Sequence, residues 1–143
     1  MKVLVIVKAS KASEAGVMPS EELMNAMGAF NAELSKAGVM LAAEGLHPSS
    51  KGKRLIFNGA DKRFVDGPFA ETKELVAGFW LWQVKSMDEA MEWARRMPNP
   101  HADDGSVEIR PVFELDDFGA ELSPEQRALQ ERMRAKAEKQ NKG

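Results

Sequence analysis

The chain predicts an α+β sandwich, a single antiparallel sheet with two helices on one of its faces, and three observations carry that reading. Apolar runs of strand length recur at residues 3–7, 39–46, 75–84 and 107–115. Apolar residues at helical spacing occupy 23–34 and 90–97. A hairpin signal interrupts the series, so the order is strand, helix, strand, hairpin, strand, helix, strand, which is two βαβ-like halves sharing one sheet.

Val3-Leu4-Val5-Ile6-Val7 is β-branched and apolar on both alternating faces, the pattern of a central strand. Residues 10–19 are small and polar and read as a loop. Ser20 caps a helix with Glu21 and Glu22 in its first turn, where carboxylates meet the positive end of the helix dipole. Leu23, Met27, Phe30 and Leu34 line its apolar face, and Gly38 ends it. In the second strand, Val39, Leu41 and Ala43 alternate with Met40, Ala42 and Glu44. Residues 54–57 and 63–65 flank Asn58-Gly59 as a hairpin. Leu75 to Val84 has bulky apolar groups on both faces, so both must be buried. Ser86 and Glu89 open the second helix as a capping box. Pro111 places the last strand at a sheet edge, or at least with its amide side unpaired at that point. Ser123-Pro124 starts a polar C-terminal helix with only Leu129 and Met133 as large apolar positions.

Between the hairpin and the most apolar strand stands Asp66-Gly67-Pro68-Phe69-Ala70-Glu71-Thr72-Lys73-Glu74. Gly67 and Pro68 force a turn, Gly through its tolerance of positive φ and Pro through its fixed φ. Asp66 is expected to close the turn by accepting from the N–H of Phe69 or Ala70. This stretch resembles the signature of the DGPF-motif domain, a branch of the YCII-related family. Glu44-Gly45-Leu46, Asp88-Glu89-Ala90 with Trp93, and Glu108-Ile109-Arg110-Pro111-Val112 agree with the resemblance, which covers residues 1–117 and leaves 118–143 as a helical tail. The resemblance implies a ferredoxin-like sandwich, the same arrangement that the element order predicts, and pairing of two such sheets as a dimeric α+β barrel. A homodimer is therefore expected, because the helices cover one sheet face only. Trp80 or Trp82 is expected at or near the interface.

Composition bounds the function. One domain suffices for 143 residues. A formal net charge of −2 gives no long-range attraction for nucleic acid or an anionic membrane. Without Cys there is no disulfide, thiolate nucleophile or Cys-ligated metal. Asp103 and Asp104 with His101 lack the spacing of a calcium loop. No metal or cofactor is expected, and the short N-terminal apolar run leads to a cytoplasmic reading.

The candidate chemistry is a set of charges. The wider family resembles a His-Asp enzyme group, in which Asp66 matches the acidic member and His47 is the candidate histidine. Glu71 and Lys73 are expected to share a face at strand spacing, as do Glu108 and Arg110 on the last strand. Arg110 is the natural anchor for a carboxylate or phosphate, since a guanidinium binds such groups through two parallel hydrogen bonds. These charges are expected to converge at one end of the sheet between apolar walls from Phe79 and Trp80. The leading expectation is an enzyme of lyase or isomerase type, moving a proton on a compact polar or aromatic molecule. The alternative is a non-catalytic ligand-binding or regulatory module, linked to transcription through the resemblance of DGPF domains to regions associated with extracytoplasmic-function sigma factors.

Overall fold

The computed structural model describes residues 1–101 and 104–142. The chain forms two compact units, Met1–Pro111 and Val112–Gly143. The first contains β1 (Lys2–Lys8), a short α1 (Lys11–Glu14), α2 (Glu21–Lys36), β2 (Met40–Gly45), β3 (Lys53–Asn58), β4 (Asp61–Asp66), β5 (Val76–Gln83), α3 (Met87–Arg95) and β6 (Val107–Pro111). Four strands make one antiparallel sheet in the order β2-β5-β1-β6, while β3 and β4 pair only with each other. This is the ferredoxin-like order, with β1 and β5 central and Pro111 on an edge strand where its missing N–H costs nothing.

The register decides which side chains share a face. Val5 stands opposite Trp80 and Ile109, and Leu4 opposite Leu81 and Arg110. Val3, Val5, Trp80 and Trp82 turn to one side and pack with Phe30, Leu34 and Ala90 from the two helices. Both tryptophans therefore belong to the helix-covered core, with Trp82 fully buried and Trp80 nearly so, and neither lies on the open face expected to meet a second copy. The reason is packing: the Phe30 ring meets the two indoles edge-on at 6.1 and 6.3 Å, an arrangement worth about 0.5–1.5 kcal/mol beyond area burial. The Trp80 indole N–H also donates to Asn31 Oδ1 at 2.8 Å.

Several local expectations change. The polar stretch after β1 folds into α1, closed by a reciprocal box in which Ser10 and Ser13 side chains each bond the other's N–H. In β2 the ladder skips from Met40 to Ala42, so Leu41 bulges out and Ala43 rejoins Met40 on the core side. Asn58 is the last paired residue of β3, and the two-residue turn is Gly59-Ala60, with Gly59 at the positive φ that a type II′ turn demands there. Ser86 caps α3 as expected, but the Glu89 carboxylate turns to the N–H of Lys85.

The second unit holds a 3₁₀ segment, Leu115–Glu121, and α4 (Pro124–Lys142), started by Ser123 Oγ accepting from Gln126 N–H at 3.1 Å. Phe113 and Phe118 stack at 5.3 Å. On α4, Leu129 and Met133 are exposed, so the helix buries little of its own surface. A chain ending at Leu122 is expected to keep a cooperative thermal transition by circular dichroism; a broad, non-cooperative melt would place the helix in the core.

Candidate functional site

The segment after β2 and the turn after β4 meet at one corner, and a single serine joins them. Ser49 donates its N–H to Glu14 Oε1 at 3.0 Å and its hydroxyl to the other oxygen of the same carboxylate. Its Oγ in turn accepts the N–H of Phe69 at 3.1 Å. Gly67 N–H donates to the Gly52 carbonyl at 3.0 Å, and the Gly67-Pro68 peptide is cis. Gly67 does not adopt positive φ. Glycine is required there for space, because a Cβ would stand 1.7 Å from the Ser49 carbonyl oxygen. The Arg54 guanidinium lies over the Phe69 ring, 3.9 Å from its centroid.

Asp66 is not spent on the turn. The Phe69 N–H that it was expected to cap belongs to Ser49, and the ladder sets Lys53 directly opposite Asp66, on the same face of the ribbon. Their charged atoms are 2.5 Å apart with both side chains largely exposed, a pair worth less than about 1 kcal/mol. His47 is exposed in the loop between β2 and Ser49. Glu71 and Lys73 do not alternate on a strand: Glu71 is left-handed at φ 61 and opens a 3₁₀ turn, Thr72–Glu74, closed by Glu74 N–H on the Glu71 carbonyl at 2.8 Å. β5 begins only at Val76, so the strand-spacing argument for these two charges fails.

Glu108 and Arg110 do share a face, the one opposite the side on which α2 and α3 pack. Across it runs a row Glu44, Phe79, Ile6, Glu108, and beside it a row Ala42, Leu81, Leu4, Arg110. The centre is apolar and half-buried, while Glu44, Glu108 and Arg110 are exposed at the edges. Trp80, expected as a wall here, points to the other side; Phe79 supplies the aromatic surface. Glu108 sits between Lys8 at 3.8 Å and Arg110 at 3.9 Å, beyond hydrogen-bond reach, which leaves the Arg110 donors open to a ligand. β2 and β6 are opposite edges, so Glu44 and Glu108 stand about 14 Å apart at three strand spacings. Among the described residues no hydrogen bond or ion pair joins the Asp66 corner to Glu108 and Arg110.

No group of three or more His, Asp or Glu side chains among the described residues could hold a metal ion. His101 bonds the Ser106 carbonyl at 3.2 Å, and Asp103 lies outside the described residues. Glu14 and Ser49 were not legible in advance. Their contact spans 35 positions, and neither belongs to a spacing that periodicity detects.

Three comparisons bear on the chain. The family model described as YCII-related domain matches residues 1–116. An uncharacterised protein of Rhizobium meliloti (strain 1021) is 35% identical over 92 residues, 64% of this chain and 74% of that protein. Among solved structures, the 5-chloro-2-hydroxyhydroquinone dehydrochlorinase of Burkholderia phenoliruptrix AC1100, in complex with 2,5-dihydroxybenzoquinone, aligns with 82% of this chain and 98% of its own at 13% identity and a TM-score of 0.41.

Proposed function

The chain belongs to the YCII-related domain family, and from that premise we propose that it is a homodimeric module binding a compact anionic, polar or aromatic molecule on the open sheet face. One observation carries the reading. Leu4, Ile6, Phe79 and Leu81 form an apolar floor, and Arg110 stands at its edge with a side chain that is 72% exposed and a guanidinium not hydrogen-bonded by Glu108. A guanidinium beside an apolar floor suits a carboxylate or phosphate attached to an apolar body. Two copies facing across this surface would exclude water and strengthen that contact. Glu71 and Lys73, on the turn that enters β5, are assigned to the rim where that strand begins, five residues along β5 from the Leu81 row that carries Arg110, and Glu108 to holding Arg110 in place.

The acid-base reading is the catalytic extension of this binding role. His47 follows β2 at the end where β5 begins, Asp66 closes the separate β3–β4 ribbon, and both are solvent-accessible, so they are assigned to proton exchange with the part of a ligand that extends from Arg110 toward that end. No helix among the described residues is long and apolar enough to cross a membrane.

Binding is tested by NMR titration with benzoate and inorganic phosphate. Arg110→Met is expected to weaken the better probe by about ten- to a hundredfold, from the roughly 1.5–3 kcal/mol of a charged hydrogen bond. Full affinity in Arg110→Met overturns the assignment. His47→Asn and Asp66→Asn are expected to leave that affinity in place.

A further inference from the structure

The β3–β4 ribbon carries an apolar face that it cannot bury by itself. Of its strand residues only Ile56 and Val65 are half-buried. The register sets Arg54 opposite Val65 and Ile56 opposite Arg63, so these four share one face. Arg54 covers Phe69 from that side, which makes it the face turned toward the rest of the unit. The other face presents Leu55, Phe57 and Phe64 at 39%, 66% and 71% exposure. Leu55 stands opposite Phe64, and Lys62 opposite Phe57 with its ammonium 5.7 Å from the ring centroid. A lone two-stranded ribbon is marginal in water, and a contiguous apolar stripe on it marks a contact surface.

Charge identifies the occupant. Residues 51–66 hold five Lys or Arg and two Asp, formally +3, in a chain of net −2, so the rest of the chain carries −5. Lys62 and Arg63 make no ion pair among the described residues, and neither does Glu44, which borders the open apolar row beside Phe79. The molecule thus offers a basic, aromatic ribbon and an apolar sheet face with an unpaired carboxylate at its edge.

We propose that the ribbon is an exchange arm: its Leu55–Phe57–Phe64 face docks on the open sheet face of a second copy, with Lys62 against Glu44 of the partner subunit. In a two-fold dimer each copy gives one arm and receives one, so both unpartnered apolar surfaces of both chains are covered at once. This rests on the dimeric reading above and deepens it. The ligand site at Arg110 is then walled by phenylalanines of the partner copy, and a single subunit holds only half of it.

The chain has no cysteine, so introduced thiols report one contact cleanly. Phe57→Cys protein is mixed with Phe79→Cys protein, or with Glu44→Cys, exposed in the same row, should the first lower the melting temperature. A short bis-maleimide is added and the products are read by intact mass, with sedimentation velocity on the parent chain. The expected product is a covalent dimer containing one chain of each kind. A parent dimer that gives no mixed product, or only Phe57→Cys joined to itself, overturns the arm and leaves the dimeric sheet face standing. A parent monomer at micromolar concentration overturns both. Binding of short duplex DNA that is abolished by Phe57→Ser with Phe64→Ser, in the absence of the mixed product, assigns the ribbon to nucleic acid and also overturns the arm.

Discussion

Trp82→Ala is expected to lower the free energy of unfolding by about 3–5 kcal/mol, the range for removing a large aromatic side chain from a core. Trp82 is fully buried and lies 6.3 Å from Phe30 and 6.1 Å from Trp80, so truncation leaves a cavity beside those rings. Total stabilities are about 5–15 kcal/mol, so the variant should lose a large part of its urea midpoint. Trp82→Phe is the informative control. The buried Trp82 indole N–H has no hydrogen-bond acceptor among the described residues, so the smaller ring loses area but no bond. Trp80→Phe gives up the bond to Asn31 as well, about 1 kcal/mol more. Equal urea midpoints for Trp82→Ala and the parent would show that the two-tryptophan layer is not the core.

Gly67→Ala is expected to be as damaging from a site with almost no apolar burial. The added methyl would overlap the Ser49 carbonyl, a backbone atom that no rotamer change can move aside. The cost is expected at or above about 3 kcal/mol, the upper end for overpacking. It should also be local at first. The bonds from Gly67 N–H to Gly52 and from Phe69 N–H to Ser49 are the ones pried apart. Hydrogen exchange of those two amides should therefore accelerate well before that of Val5 or Trp80. Parent-like exchange at both would mean that the chain relaxes around the methyl and that the corner is not tightly built.

Most of the secondary structure could be read from the residues because it rests on local rules. Ser20, Ser86 and Ser123 each cap the helix they were expected to cap, since the Oγ that accepts and the N–H that donates are only three positions apart. Element order alone led to the sheet topology, because short connections leave few ways to arrange four strands and two helices. The family signature at 66–74 marked the corner, but not what builds it. Ser49 and Glu14 enter from distant segments, and a hydroxyl bridging 35 positions leaves no trace in spacing.

What the sequence determined by itself was the pattern of alternation; what only the tertiary structure decided was which side of it faces what. Residues 75–84 are apolar on both faces, and a period of two is the same whichever face the helices choose. Trp80 and Trp82 turn to the helices because Phe30 and Leu34 wait there, and Phe79 and Leu81 are left on the open side with Arg110. In the same way, Glu71 and Lys73 match a strand pattern locally, yet a left-handed residue and a 3₁₀ turn delay the strand to Val76. Alternation is a property of neighbours along the chain, whereas burial is a property of whatever packs across it.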